Sequence, residues 1–252
     1  AEQIAKTFTI DKTAPKLAID NVTDGAFYPA NREVTVSVDE TNFEENEVEF
    51  QVTKDGQDIT ANVENGRDWR NTGKVSRLNY NFTEDGAYTI RVNAVDAAGN
   101  KSGVLEKSYV TDTVDPTIEI TGVEQDEFYN EDRPTTVTIQ DVNFDSNRIS
   151  VTKDGAAYGV GDFSITNNRY QNSVATLSHT FTQEGDYMII VESVDQAGNS
   201  EEQQVSFTID KTAPEITPIM GSNGSEIEDG AYINQIFTPI FQLDRPDDDT
   251  IV

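Results

Sequence analysis

The stretch Glu84-Asp85-Gly86-Ala87-Tyr88 stands before a run in which apolar residues alternate with polar ones. Nearly the same stretch returns as Gln183-Glu184-Gly185-Asp186-Tyr187, again before an alternating run. Glycine adopts the backbone conformations that tight turns require, and alternation with period two indicates a strand with one buried face. The sequence therefore predicts two copies of one unit, in each of which a turn delivers a tyrosine to the start of a long strand.

A second motif marks the boundaries between the copies. It occurs as Asp11-Lys12-Thr13-Ala14-Pro15, as Asp112-Thr113-Val114-Asp115-Pro116 and as Asp210-Lys211-Thr212-Ala213-Pro214. Its proline recurs after 101 residues and then after 98 (116 − 15 and 214 − 116). A recurring unit fixes module size independently of strand or helix propensity, so the chain divides into modules of about 100 residues.

The repeat predicts two complete modules flanked by two partial ones. The predicted boundaries, in chain order, are 1–12 for the last strand of a preceding module, 13–111 for module 1, 114–209 for module 2 and 213–252 for the opening of a third module. Pro15, Pro116 and Pro214 have a structural role in this scheme, because proline fixes φ and so orients the strand that follows each boundary.

Alternation continues through both complete modules. In module 1 the alternate residues from Val34 to Val38 share one face, as do those from Val48 to Val52, and no stretch shows sustained helical spacing. About seven such strands in roughly 100 residues fit two packed antiparallel sheets. The sequence therefore predicts an all-β chain of tandem β-sandwiches, and the absence of cysteine means that no disulfides hold them together.

The turns before Tyr88 and Tyr187 resemble the tyrosine corner of immunoglobulin-like domains, in which the phenol hydroxyl bonds back to the main chain. Two residues further on, where antibody domains carry a cysteine, the sequence has Ile90 and Ile189. The resemblance implies immunoglobulin-like sandwiches with Greek-key connections, in which apolar packing replaces the disulfide.

Three recurring motifs together resemble bacterial immunoglobulin-like (Big) repeats: the boundary motif, the tyrosine corner and a Val-Asp-x-Ala-Gly-Asn segment that ends at Asn100 and Asn199. The resemblance implies an extracellular bacterial protein, secreted or anchored at the cell surface. It implies a non-catalytic stalk or spacer of an adhesin-like protein, whose neighbouring modules are its partners and whose glycan or protein ligand binds domains outside this fragment. The alternative is an accessory or carbohydrate-binding region of a secreted carbohydrate-active enzyme.

Composition and charge exclude several classes of function. A formal net charge of −28 repels phosphates and anionic lipid head groups, so we expect no nucleic-acid partner. No run of 18 apolar residues is present, so we expect no membrane insertion. The single histidine, His179, aligns with Tyr80 of the first copy, and no nucleophile elbow, phosphate loop or paired-histidine motif is present. We therefore expect this chain not to be an enzyme.

Acidic residues at the boundaries are the candidate metal ligands. Asp11, Asp112 and Asp210 begin the boundary motif, while Asp96 and Asp195 close the sixth strand of their modules. Calcium takes six to eight oxygen ligands, which converging carboxylates and carbonyls would supply. The alternative is that each aspartate caps its own turn by accepting from the amide two residues on. Asp115 replaces an alanine of the other boundaries, so the boundaries are not equivalent.

A loop before the fifth strand carries the candidate ligand residues Trp69 and, in module 2, Tyr170. Each stands beside an arginine, and such a pair on an exposed loop stacks well on a sugar ring. The alternative is that these aromatic side chains cover the edge of the sandwich.

Overall fold

The computed structural model describes residues 6–43, 47–64, 69–72, 74–166, 173–216, 226–234 and 243–244. The first sandwich comprises these strands: β1 (Lys16–Asp20), β2 (Ala26–Tyr28), β3 (Arg32–Asp39), β4 (Val48–Lys54), β5 (Gln57–Asp58), β6 (Arg70–Thr72), β7 (Val75–Phe82), β8 (Gly86–Ala94) and β9 (Leu105–Thr111). One short helix, α1 (Thr60–Glu64), lies between β5 and β6.

The second sandwich repeats this order without a helix among its described residues. Its strands are β10 (Thr117–Thr121), β11 (Glu127–Tyr129), β12 (Arg133–Asp141), β13 (Phe144–Lys153), β14 (Ala156–Ala157), β15 (Ser164–Thr166), β16 (Ser173–Phe181), β17 (Gly185–Asp195) and β18 (Ser200–Ile209). Each sandwich thus has nine described strands where the sequence predicted about seven, because strands of two or three residues leave too short a pattern to recognise.

Each sandwich consists of one four-stranded and one five-stranded sheet. The sheet orders are β1-β3-β7-β6 and β2-β9-β8-β4-β5 in the first sandwich, and β10-β12-β16-β15 and β11-β18-β17-β13-β14 in the second. Neighbouring strands are antiparallel except that β2 runs parallel to β9 and β11 runs parallel to β18. The chain is therefore an all-β tandem of immunoglobulin-like sandwiches, as predicted.

The core of each sandwich lies between its two sheets, where the apolar side chains from alternate positions meet. Val36, Val38, Ile90 and Val92 are at most 2% exposed in the first sandwich. In the second sandwich the isoleucine that stands in the cysteine position of antibodies, Ile189, is 1% exposed. Aliphatic side chains therefore fill the space that a disulfide takes in antibody domains.

The tyrosine of each corner is buried and bonds back to the main chain. Tyr88 donates its hydroxyl to the carbonyl oxygen of Glu84 at 2.8 Å, and Tyr187 donates to Gln183 at 2.8 Å. Burial raises the pKa of both phenols to about 12. The glycine of the corner, Gly185, has φ of +141°, a conformation that residues with a side chain rarely adopt.

In each sandwich the guanidinium of an arginine packs over the ring of a tyrosine, a contact that was not predicted from the sequence. The guanidinium of Arg32 lies 3.8 Å from the ring centre of Tyr28, and Arg133 repeats this arrangement over Tyr129 at 3.8 Å. The Tyr129 hydroxyl accepts from the amide of Glu124 at 2.8 Å. Because β2 and β3 belong to different sheets, as do β11 and β12, these arginine–tyrosine contacts link the two sheets of each sandwich.

The flanking segments contain little regular structure among their described residues. Residues 6–12, predicted to end the last strand of a preceding module, form no strand, and Phe8 is 84% exposed. Beyond the second sandwich, β19 (Glu215–Ile216) pairs antiparallel with β20 (Leu243–Asp244). The third module remains a prediction, because most of residues 217–252 lie outside the described part.

Candidate functional site

Three buried carboxylates meet where the linker enters the second sandwich. Asp112 follows β9, Asp141 ends β12 and Asp195 ends β17, and one oxygen from each lies within 4.8 Å of the others. They are 5%, 5% and 2% exposed. Like charges buried at this separation repel strongly, so the cluster is costly unless a cation or protons neutralise it.

Every hydrogen bond found for these carboxylates comes from a neutral amide. Asp195 accepts from the backbone amides of Gly198 and Asn199 at 2.6 and 2.8 Å, and from the Asn199 side chain at 2.7 Å. Asp141 accepts from the Asn143 amide at 2.6 Å, and Asp112 from the Asn143 side chain at 2.8 Å. None of the ion pairs between described residues includes Asp112, Asp141 or Asp195.

The turn-capping alternative describes part of what these aspartates do. Asp112 accepts from the amide of Val114, two residues on, at 3.1 Å, and Asp11 accepts likewise from Thr13 at 2.8 Å. Capping satisfies one oxygen of each carboxylate. It does not account for the convergence of three carboxylates, because a cap needs only one.

The first sandwich has a corresponding cluster of Asp11, Glu40 and Asp96, also within 4.8 Å. Glu40 and Asp96 are 7% and 3% exposed, while Asp11 is only half-buried. Asn42 donates to Asp11 at 3.1 Å, and Asn100 donates to Asp96 at 2.7 Å, as their counterparts do in the second sandwich. The same constellation is therefore built twice.

The two clusters differ in their electrostatics. Burial, together with the charge of Asp195, raises the pKa of Asp112 and Asp141 above the ordinary value of 3.8. In the first sandwich the side-chain amide of Asn100 instead lowers the pKa of Asp96. Without a bound cation, the ionised carboxylates of the second cluster are therefore held together at a higher electrostatic cost than those of the first.

Calcium fits the donor set of both clusters. Carboxylate oxygens lie about 2.3–2.6 Å from Ca²⁺, so two ligands of one ion are at most about 4.6–5.2 Å apart. Both clusters meet this limit, because the oxygens of each lie within 4.8 Å of one another. Hard oxygen donors without sulfur or imidazole favour calcium or magnesium over zinc. Asp112, Asp141 and Asp195 would hold the ion in the second sandwich.

The structure brings together four of the five predicted metal ligands, in two pairs. Asp11 lies with Asp96, and Asp112 lies with Asp195, but the third carboxylates, Glu40 and Asp141, were missed. A signal was present, because Glu40 and Asp141 each stand two residues before the repeated Asn-Phe pair. The fifth predicted ligand, Asp210, accepts from the amide of Thr212 at 2.9 Å and belongs to neither cluster of described carboxylates.

The structure does not support the sugar-stacking interpretation of Trp69. Its side chain is only 9% exposed and packs on Phe43, with ring centres 5.1 Å apart, because the apolar indole completes the core of the first sandwich. A ring buried in this way offers no face to a sugar. Its counterpart, Tyr170, lies outside the described residues. His179 packs edge to face on Phe181 with ring centres 4.8 Å apart.

Comparison with known families found a match over the second sandwich. Residues 112–211 match the family model of the bacterial Ig-like domain. The second sandwich is thus similar to bacterial Ig-like domains. The match begins at Asp112, so the matched region includes the linker aspartate of the carboxylate cluster.

The solved structures that match this chain have low sequence identity to it and low TM-scores. A titin fragment solved as an anomalous substructure has 13% identity and a TM-score of 0.38, covering 79% of this chain and 100% of its own. Bovine butyrophilin has 11% identity and a TM-score of 0.40, with the same two coverages. An I-band fragment of titin has 12% identity and a TM-score of 0.36, covering 94% and 90%.

No sequence among curated proteins matches this chain. In the part of the chain that the structure describes, no helix has the length and apolar character needed to span a membrane.

Proposed function

We propose that this chain is a non-catalytic spacer in a bacterial cell-surface protein of the adhesin type, and that calcium bound at the module boundaries stiffens it. The observation that carries the proposal is the position of Asp112. This residue belongs to the linker, yet its carboxylate lies in a buried cluster with Asp141 and Asp195 of the second sandwich. An ion held by all three would fasten the linker to the sandwich that follows it.

The linker is also attached to the sandwich that precedes it. The backbone amide of Asp112 donates to the carbonyl oxygen of Tyr28 at 3.0 Å, and Thr113 donates its hydroxyl to Asp85 at 2.9 Å. From the other side, Asn199 donates to the carbonyl oxygen of Asp112 at 2.8 Å. One residue therefore receives contacts from both sandwiches, and fixing its carboxylate with an ion would restrict bending between them.

The calcium hypothesis also agrees with an extracellular location. Extracellular calcium modules bind the ion with dissociation constants of about 10⁻⁴–10⁻³ M, so they fill outside the cell and stay empty at cytosolic calcium levels. A spacer with such sites would be flexible during export and stiff after it.

Titration calorimetry of the chelator-treated protein with calcium tests the site. We expect two binding events, one for each cluster, and loss of one in Asp141→Asn. Asp162→Asn is the matched control, because Asp162 is an exposed aspartate of the same sandwich outside the cluster and the change in charge is identical. Absence of heat at millimolar calcium, or equal binding by Asp141→Asn and the wild type, would contradict the proposal.

Small-angle X-ray scattering in calcium and in chelator tests the stiffening. In the wild type, calcium should narrow the range of maximum particle dimensions, because the bound ion restricts bending between the two sandwiches. In Asp141→Asn, calcium should not restrict bending at the linker that contains Asp112. Calcium that binds without any effect on the scattering curve would leave the site in place and refute its mechanical role.

A further inference from the structure

A cleft of about 550 Å³ lies between the two sandwiches, beside the linker. Its apolar lining comes from Phe27, Ala87 and Val110 of the first sandwich, Val114 of the linker and Val142 of the second sandwich. Binding sites for small ligands and short peptide segments commonly have volumes of about 300–1,000 Å³ and apolar walls. The cleft has the size and the lining of such a site.

The two valines are unusually accessible for apolar side chains that face a concave surface. Val114 is 60% exposed and Val142 is 42% exposed. A single exposed aliphatic residue on a protein surface is ordinary, but several that converge on one concavity indicate a surface that binds something.

Acidic residues surround this apolar lining. Five aspartates contribute to the cleft, and its lining contains no lysine or arginine: Asp55, Asp85, Asp112, Asp115 and Asp141. Low-dielectric walls lined by one sign of charge focus the field, so the cleft attracts cations more strongly than an open surface of the same charge.

Three residues of this cleft differ in character from their counterparts, because the other repeats place threonine or alanine at the positions of Val114, Val142 and Asp115. Val114 corresponds to Thr13 and Thr212, and Val142 corresponds to Thr41. Asp115 corresponds to Ala14 and Ala213. The boundary between the two sandwiches therefore has more apolar area and more negative charge than the other boundaries.

We propose that this cleft binds a segment of a partner polypeptide in which lysine or arginine alternates with aliphatic side chains. The aliphatic side chains, and the methylene stem of the lysine, would pack on Val114, Val142 and Phe27. The charged heads would reach the accessible aspartates Asp55, Asp85 and Asp115, because long cationic side chains keep their charge hydrated while burying their stems. An acidic or purely polar segment meets neither requirement.

Fluorescence anisotropy with a labelled peptide, acetyl-Lys-Leu-Lys-Leu-Lys-amide, tests the proposal in chelator at near-physiological ionic strength. Two comparison peptides separate the contributions: acetyl-Lys-Ser-Lys-Ser-Lys-amide retains the charge without the aliphatic groups, and acetyl-Glu-Leu-Glu-Leu-Glu-amide reverses the charge. We expect the Lys-Leu peptide to bind at least about tenfold more tightly than the Lys-Ser peptide, the order of discrimination that an apolar pocket provides.

The repeats supply conservative variants for locating the site. The double variant Val114→Thr with Val142→Thr introduces the residues of the other boundaries, and should weaken the Lys-Leu peptide about tenfold without affecting the Lys-Ser peptide. Asp115→Ala, again a residue of the other boundaries, should weaken both cationic peptides and reduce the dependence of binding on salt. Asp162→Asn removes the same charge away from the cleft and should leave both affinities unchanged.

Two results would overturn the proposal. Equal affinities for the Lys-Leu and Lys-Ser peptides, insensitive to the valine substitutions, would mean that the −28 net charge of the chain alone attracts them. No binding at millimolar peptide would mean that the cleft is merely the space between two joined modules. Because the assay is run in chelator, its outcome does not depend on whether calcium binds to Asp112 and Asp141, which also line the cleft.

Discussion

Replacing Asp141 with asparagine should change the stability of the second sandwich in opposite directions with and without calcium. In chelator, the wild-type protein holds three buried carboxylates within 4.8 Å. Two unit charges about 4 Å apart repel by about 4 kcal/mol at an effective dielectric constant near 20. The variant relieves this repulsion but weakens the charge-assisted hydrogen bond from Asn143, which is worth about 1.5–3 kcal/mol. We therefore expect a net stabilisation of about 1–3 kcal/mol.

In calcium the order should reverse. A ligand at 100 times its dissociation constant stabilises the folded state by about 2.7 kcal/mol, and the variant loses a charged ligand of the ion. For a domain of this size, 1 kcal/mol corresponds to about 4–8 °C in the melting temperature. With a dissociation constant of about 10⁻⁴ M, about 10 mM calcium supplies this 100-fold excess. The wild type should thus melt below Asp141→Asn in chelator and above it at this or a higher calcium concentration.

Differential scanning calorimetry measures the difference in melting temperature between the wild type and Asp141→Asn, once in chelator and once in calcium. Asp162→Asn is the control. A variant that is less stable than the wild type in chelator would refute the electrostatic interpretation of the cluster. A wild-type melting temperature that does not respond to calcium would refute the metal site. The two failures are independent of each other.

The remaining predictions concern pH and packing. Because the raised pKa of Asp141 makes the folded state bind its proton more tightly, lowering the pH from neutral towards 3.8 in chelator should stabilise the wild type relative to Asp141→Asn; a pH-independent difference would contradict this. Thr111→Ile should stabilise the first sandwich by about 1–2 kcal/mol in urea unfolding, since the buried hydroxyl of Thr111 has no hydrogen-bond partner among the described residues and its counterpart Ile209 is 1% exposed. Tyr187→Phe should cost about 0.5–1.5 kcal/mol through loss of the corner hydrogen bond, and an unchanged urea midpoint would show that the bond contributes nothing. Gly122→Ala should cost about 2–4 kcal/mol, because a Cβ there would lie 2.1 Å from the carbonyl oxygen of Pro134; a folded variant of wild-type stability would contradict the geometry.

The fold could be predicted largely from the sequence because the relevant signals are local and occur twice. Alternation between Val34 and Val38 predicts a strand that the structure extends over Arg32–Asp39, and the turn before Tyr88 predicts where the longest strand of the sandwich starts. The two-residue strands such as β5 were not predictable, because period-two alternation needs four or more residues to be recognised.

The candidate site was only half predictable for a related reason. Asp112 and Asp195 lie 83 residues apart in sequence (195 − 112), and their common position near Gly-Asn turns and linkers suggested that they meet. Asp141 was one acidic residue among 46, and its repeated position two residues before an Asn-Phe pair does not by itself show whether its side chain is buried or solvated. The sugar-stacking prediction for Trp69 was not supported, because a loop position beside an arginine does not show whether the indole points outward or into the core.

The parallel pairing of β11 with β18 determines how the second sandwich responds to being pulled by its ends. Residues 127–129 pair in register with residues 207–209, so tension on the two termini acts along these strands in opposite directions. The backbone bonds between them are then loaded together, in shear, and cannot be opened one after another like a zipper. Rupture under load therefore requires all the backbone hydrogen bonds of this patch to break together.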